Sequence, residues 1–257
     1  MEKTLLKAPV LAFGTATLLS GCVIGNFDAA KSFASNEEAY RLLSSAPLVQ
    51  AADIPTGSVS YSGGILVERE ARSKGVLNTG LAADLENPDV HYIVAKMDVD
   101  VAFDDSTTDF TLSKFQRATA PVSIFDLGSE PNAEGDLAID PNDIVLGEAF
   151  SGTVTAQGSV LADFSGVLAY ASSYGSTLTT GSGATLQAHE VDFSAGLNLR
   201  STGGENFLLG HAGLQILTEV AISDEPSGDL ESTGDAEPII VQLREGYSGS
   251  GYAVQTD

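Results

Sequence analysis

Alternation of apolar and polar residues predicts β-strands over most of the chain after residue 56. In the stretch from Val90 to Phe103, Val99 and Val101 fall on one face while Asp98 and Asp100 fall on the other. Residues 109–116 alternate again, and Phe110, Leu112 and Phe115 are predicted to face mostly inward. Residues 126–147 are acidic and rich in Pro, Gly and Asn, which predicts a loop.

A short motif then repeats at strand-plus-turn spacing. Phe150-Ser151-Gly152-Thr153-Val154 recurs as Phe164-Ser165-Gly166-Val167-Leu168 and, more loosely, as Phe193-Ser194-Ala195-Gly196-Leu197. Gly158 and residues 171–176 supply turn signals between the copies. Glycines inside strands mark bends that let a sheet curl and close. The pattern predicts an all-β fold, an antiparallel β-barrel or sandwich of about eight strands.

The last third of the chain continues the strand pattern. Residues 207–222 are the most apolar stretch, and Gly210 and Gly213 favour strand–turn–strand over a helix there. An acidic linker follows at 223–237, with a last short strand at 238–243. We therefore expect one β domain over residues 57–244 and a flexible tail at 245–257.

One helix is predicted before the β domain. Ser35 and Glu38 have capping-box spacing, with Ser35 as the N-cap, and apolar residues at 39–43 form a short stripe. Pro47 ends the predicted helix. A helix this short needs the domain for support, so residues 22–56 are predicted to be a tether with one short helix.

The first 21 residues have the features of a cleaved leader. Lys3 and Lys7 precede an apolar stretch of twelve residues, which is too short to span a bilayer. The next residues, Leu19-Ser20-Gly21-Cys22, resemble the lipobox of bacterial lipoproteins, and Cys22 is the only cysteine. The resemblance implies a signal peptide at 1–21, acylation of Cys22, for example with palmitate, and a lipid bilayer as partner. Val23 is typical of outer-membrane sorting, at the periplasmic face or the cell surface.

The net charge of the chain limits which partners it can bind. The chain has 12 Lys and Arg against 35 Asp and Glu, a formal net charge of -23, which excludes nucleic acid as a partner. No cofactor is predicted, but oxygen-rich clusters make calcium the candidate ion. The candidate cation-binding residues are Asp98, Asp100, Asp104, Asp105 and Asp109. A second acidic cluster comprises Asp136, Asp140, Asn142, Asp143 and Glu148. A solvated acidic face or loop is the alternative for both.

Catalytic motifs are absent from the sequence. No G-x-S-x-G elbow and no P-loop occur, and the three histidines, His91, His189 and His211, are too far apart in sequence for a zinc motif. Each histidine is expected to be a half-buried structural residue. Four tyrosines, Tyr170, Tyr174, Tyr247 and Tyr252, are either exposed binding anchors or ordinary amphipathic surface.

The strand pattern also resembles the C-terminal barrels of transferrin-binding-protein-B-like surface lipoproteins. The matching residues are Tyr61-Ser62-Gly63 after a tether containing Pro55, the motifs at 150–154 and 164–168, and Gly203-Gly204-Glu205-Asn206-Phe207. The closing aromatic-Tyr-Gly-Pro and Glu-Glu-Val-Gly-Gly pattern of that family is absent. The resemblance implies an eight-stranded barrel whose loops bind a ligand, but no binding residue can be carried over.

Taken together, the sequence predicts a non-catalytic envelope lipoprotein whose loops bind an unknown protein or small molecule. One alternative is a structural envelope protein without a small-molecule ligand. The other is a hydrolase that uses His189 or His211 on a β scaffold.

Overall fold

The computed structural model describes residues 28–69, 90–121, 141–163, 166–183, 186–222 and 239–256. One helix precedes nine strands. They are α1 (Ala29–Leu43), β1 (Ser58–Arg69), β2 (Val90–Ala102), β3 (Thr107–Ala120), β4 (Val145–Ala149), β5 (Thr153–Asp163), β6 (Gly166–Thr180), β7 (Gln187–Thr202), β8 (Glu205–Ile222) and β9 (Ile239–Gln255).

Eight of the strands form a closed antiparallel ring. The sheet order is β2-β1-β9-β8-β7-β6-β5-β3, and pairing of β2 with β3 closes it. The short strand β4 pairs with the last part of β3, beyond the pairing of β3 with β5. Closure removes the two free edges that an open sheet would expose. The predicted all-β fold of about eight antiparallel strands with one short helix is confirmed.

The two ends of the ring differ in how their strands are connected. At one end, residues 103–106, 164–165 and 203–204 join successive strands, and β9 finishes there; we call it the short-turn end. At the opposite end, longer segments join β1 to β2, β3 to β4 and β8 to β9, at residues 70–89, 121–144 and 223–238. We call this the long-connection end.

Apolar side chains from the whole ring fill its interior. Alternation along each strand turns residues such as Val99 and Val101 inward and Asp98 and Asp100 outward, as predicted. Phe110 of β3 contacts Phe193 of β7 across the interior, with ring centroids 6.1 Å apart. Side chains from two walls therefore meet at the level of Phe110 and Phe193, and the described core residues fill this part of the interior.

A bulge in β3 resets which residues face inward. Phe110 and Leu112 point into the core, but Lys114 has a φ of 55° and the register shifts beside it, between Val94 and Lys96 of β2. After the shift, Phe115 is the next core residue. The inward phase therefore changes from even to odd positions, and Arg117 is brought to the interior.

Glycines permit close contact between neighbouring strands. Gly158 was predicted to mark a turn but lies inside β5, where an added Cβ would come within 1.8 Å of the Tyr170 carbonyl oxygen on β6. A Cβ added at Gly210 would likewise come within 2.1 Å of the Gly196 carbonyl oxygen on β7. No side chain fits at such a distance, which agrees with the prediction that strand glycines allow the sheet to curl.

Three predicted boundaries are wrong. Residues 171–176 are not a turn but a bulge within β6, where Gly175 has a φ of 68°. Residues 207–222 form one unbroken strand, β8. The predicted flexible tail from residue 245 is the second half of β9, paired with both β1 and β8. Two partner strands stabilise a Gly- and Ser-rich segment that local sequence would leave disordered.

The predicted loop at 126–147 is only partly described. Its described part contains a short 3-10 turn at Pro141–Asp143 and the start of β4 at Val145. The rest lies outside the described residues, as does the whole linker predicted at 223–237.

Helix α1 begins earlier than predicted. Asp28, not Ser35, is the N-cap, and its carboxylate accepts a hydrogen bond of 3.2 Å from the Lys31 backbone N–H. Ser35 lies inside the helix because buried Phe33 extends the apolar stripe toward the N-terminus. The helix ends at Leu43, before Pro47, as predicted.

The chain crosses the short-turn end between α1 and β1. The backbone N–H of Val49 donates to the Leu199 carbonyl of β7, and Leu48 packs beside Gly166 of β6. Val49 is 7% exposed and belongs to the interior core, and Ile54 packs against that core. Residues 47–57 therefore close this end; we call them the plug.

Candidate functional site

The interior near the long-connection end contains a group of polar side chains. Its members come from six strands of the ring. We call it the polar network, and its residues are Arg69, Arg117, Thr180, His189, Thr218, Glu245 and Tyr247. Each of these residues occupies an inward-facing position, because it continues the alternation of the core residues in its own strand. In β3 the bulge shifts that alternation, so that Arg117 faces inward.

The charged half of the polar network centres on Glu245. Arg117 donates from Nη2 to Glu245 Oε2 at 2.9 Å and from Nη1 to Tyr247 Oη at 2.9 Å. Arg69 Nη2 lies 3.6 Å from the other carboxylate oxygen of Glu245, and Tyr247 Oη donates to Oε2 at 3.2 Å. Charge-assisted hydrogen bonds of this kind are stronger than neutral ones.

These contacts set the protonation states. Burial alone would raise the pKa of Glu245, but Arg117, Arg69 and their hydrogen bonds more than offset it, so the pKa is below its ordinary value. Burial raises the pKa of Tyr247 to about 12. At neutral pH Glu245 is therefore ionised between two guanidinium groups, and Tyr247 is a neutral donor.

His189 forms the neutral half of the polar network. It is 3% exposed, its Nε2 lies 2.8 Å from Thr180 Oγ1 and its Nδ1 lies 2.8 Å from Thr218 Oγ1. Burial, and secondarily the charge of Arg117, lower its pKa. Phe150 separates the two halves, with its ring 5.3 Å from the His189 ring and the Arg117 guanidinium 5.2 Å from its centroid.

The geometry of His189 does not resemble that of a catalytic base. Both ring nitrogens bind threonine hydroxyls, and within the described residues the hydrogen bonds found for His189 include none to a carboxylate that would orient it. Thr180, the closest hydroxyl on one side, is itself only 4% exposed. What the polar network does is join strands: its hydrogen bonds and ion pairs tie together β1, β3, β6, β7, β8 and β9.

The structure does not assemble the predicted cation site. Asp98 and Asp100 lie on the outer face of β2, where they accept hydrogen bonds from Ser62 at 2.6 Å and Ser60 at 2.5 Å of β1. Lys96 pairs with Asp98 at 2.5 Å. Asp109 is the cross-strand partner of Asp100, while Asp104 and Asp105 lie in the following turn.

Within the residues that the structure describes, no three His, Cys, Asp or Glu side chains are grouped closely enough to hold a metal ion. In the second predicted cluster, Asp136 and Asp140 lie outside the described residues. Asn142 and Asp143 lie in a 3-10 turn and Glu148 on β4. Calcium binding therefore stays a prediction, and in the described part of the first cluster the Ser–Asp pairs form a hydrogen-bonded outer face.

His211 lies far from the polar network, on the outer face of β8. Its ring is 6.3 Å from that of Tyr40 on α1. It borders a surface groove of about 410 Å³ that crosses β6, β7 and β8. Tyr170 borders the groove on the β6 side, and Gly196 is the cross-strand partner of both Tyr170 and His211.

Some of the remaining predicted residues are exposed and others are buried. Tyr174 is 80% exposed and Tyr170 is 40% exposed, but Tyr247 and Tyr252 are buried and are not surface anchors. His91 is half-buried on β2. Cys22 and the predicted leader lie outside the described residues.

The sequence matches no family model, no curated protein and no solved structure. The resemblance to transferrin-binding-protein-B-like barrels therefore stays a prediction. Across the described part of the chain, no helix has the length and apolar character needed to cross a membrane.

Proposed function

We propose that the chain is an acyl-anchored envelope lipoprotein, non-catalytic, whose ring presents a surface to a ligand or partner. The observation that carries the proposal is the integration of α1 into the ring. Phe33 is fully buried and stacks edge-to-face on Tyr92 of β2 at 4.7 Å, and α1 starts seven residues after the lipobox cysteine. The anchor and the folded body are thus joined by a short connection.

Membrane attachment follows from the chemistry of the anchor. Each buried methylene contributes about 0.8 kcal/mol, so two or three acyl chains on Cys22 hold even a protein of net charge -23 at a bilayer. The barrel-like fold is compatible with the family resemblance, including loop display at a cell surface. The outer membrane, at its periplasmic face or outside, is the proposed location.

The packed interior restricts where a ligand binds. Since side chains from opposite walls meet at Phe110 and Phe193, a ligand has to use an end or the outer face of the ring. The same packing favours the second candidate function, a structural envelope protein that associates through its surface and takes no small molecule.

Mass spectrometry of the protein purified from its native membrane tests the anchor. The expected product begins at Cys22 and carries diacylglycerol and an amide-linked acyl chain. The matched variant Cys22→Ser should keep the leader and lose the acyl mass. An unmodified thiol on the wild-type protein, or an uncut leader, would contradict the proposal.

A further inference from the structure

Helix α1 runs from the long-connection end toward the short-turn end. Its first half packs through Phe33 in a cluster that includes Ala120, the last residue of β3, and Ile144 just before β4. Its second half packs through Tyr40 and Leu43 against Phe207, near the start of β8. The chain therefore enters the folded body near the long-connection end.

The position of α1 on the ring is fixed by close packing. At Gly64 of β1 an added Cβ would lie 2.9 Å from both Asn36 Nδ2 and Ser32 Oγ of the helix. Asn36 is 3% exposed, and its Nδ2 donates to the Ser32 carbonyl at 2.8 Å. Because the helix contacts the sheet at this distance, the point where the tether leaves the body is fixed too.

Chain length then limits where Cys22 can be. Five residues, 23–27, lie between it and Asp28, and the six residue-to-residue steps reach about 20 Å at full extension. Strands of 15 to 18 residues in a tilted ring give a height of roughly 35–40 Å. With the anchor at the bilayer, the short-turn end comes near the membrane only if the tether doubles back at full extension along the wall.

We propose that the long-connection end of the ring faces the bilayer and that the short-turn end, with the last residues of β9, points away from it. This inference rests on the proposed anchor at Cys22. It reverses the expectation that long loops are displayed outward, because the longest connections lie at the end where the tether leaves the body.

Energy transfer from a single introduced tryptophan tests the orientation, because the chain has no tryptophan of its own. Leu186→Trp places the donor at the long-connection end, where Leu186 is 56% exposed. Thr107→Trp is the matched control at the short-turn end, where Thr107 is exposed at the start of β3. The acylated variants are placed in zwitterionic vesicles containing a dansyl-headgroup lipid as acceptor, after circular dichroism has shown the native fold.

The L186W protein should transfer several-fold more efficiently than the T107W protein. Equal transfer, or greater transfer from T107W, would overturn the proposal.

A second sample separates this inference from the proposed function. The chain without residues 1–21 is coupled through its one thiol, Cys22, to a maleimide-headgroup lipid. If native protein proves not to be acylated, the proposed function fails, but the coupled chain still reports the orientation imposed by the fold. If native protein is acylated and the coupled L186W chain does not exceed T107W, only the orientation fails.

Discussion

The two ends of the ring are closed by different chemistry. At the long-connection end, inward-facing Arg117, Glu245 and His189 belong to a hydrogen-bonded polar network. At the short-turn end, apolar residues of the plug, such as Val49, cover the interior, and Tyr61 and Thr108 have buried hydroxyls without hydrogen-bond partners among the described residues. The first end depends on charge and protonation, whereas the second depends on apolar burial and on backbone hydrogen bonds such as that from Val49 to Leu199.

This difference indicates which end can tolerate change. A polar network fails when one member is removed, because the remaining groups lose partners in a low-dielectric interior. An apolar plug loses stability only in proportion to the surface and volume removed. The following substitutions test that contrast, beginning with the largest expected effect.

Glu245→Leu should cost about 3–5 kcal/mol of unfolding free energy, because it removes the carboxylate that both Arg117 and Arg69 contact. Urea unfolding followed by circular dichroism measures the loss. Glu190→Leu on the exposed face of β7 is the control and should change stability by no more than about 0.5 kcal/mol. A loss below about 1 kcal/mol for E245L would show that the network does not hold this end.

Val49→Ala should cost about 2 kcal/mol, the scale for truncating a buried aliphatic side chain. Val145→Ala, at a position 63% exposed on β4, is the matched control and should be near neutral in the same unfolding assay. If V49A were as neutral as V145A, the plug would not be part of the folded unit.

Acidification should weaken the long-connection end through His189. Burial sets its folded pKa below the unfolded value of 6.5, so the folded state resists protonation and stability falls as pH drops from 6.5 through the folded pKa. While one proton is taken up on unfolding, the slope is at most about 1.4 kcal/mol per pH unit. Glu245 adds its own loss only below pH 4.5, since its folded pKa is depressed.

His189→Gln should flatten the fall in stability between pH 6.5 and the folded pKa. Thermal melts at a series of pH values compare the variant with the wild-type protein. An unchanged pH profile in H189Q would remove His189 as the titrating group.

Tyr61→Phe should be the mildest change, between neutral and about 1 kcal/mol stabilising, because it removes a buried hydroxyl that finds no hydrogen-bond partner in the part of the chain that the structure describes. Tyr247→Phe is the contrast at the other end and should cost about 1–3 kcal/mol, since its hydroxyl bonds Arg117 and Glu245. If Y61F were the more damaging of the two, the contrast between the ends would be wrong.

Local pattern predicted the parts of the fold that depend on alternation. The face assignments of β2 and the inward Phe110 and Leu112 follow from alternation, whereas Phe115 faces inward only after the bulge at Lys114. Glycine positions indicated a curled sheet. The end of β9 could not be predicted because Gly246, Ser248 and Gly249 have little strand propensity. Pairing with both β1 and β8 overrides that deficit.

The polar network was harder to find than the strands. His189 stood out as a titratable residue in an alternating segment, but Arg117 reaches the interior only because of the bulge at Lys114, and Glu245 falls in what looked like a tail. One signal was available: Arg117 is one of only 12 Lys and Arg and sits in an alternating strand. The partner on β9, 128 residues away, depends on ring closure, which alternation does not encode.

Hydrogen exchange of α1 tests the central claim most directly. If the ring is held at a bilayer in one orientation, α1 has to be packed firmly on the ring. The account predicts that amides from Phe33 to Leu43 are protected to the same extent as those of β1 and β9, against which the helix packs. Exchange of these amides orders of magnitude faster than that of the two strands would show a loose tether, and would contradict both the fixed orientation and the short connection between anchor and ring.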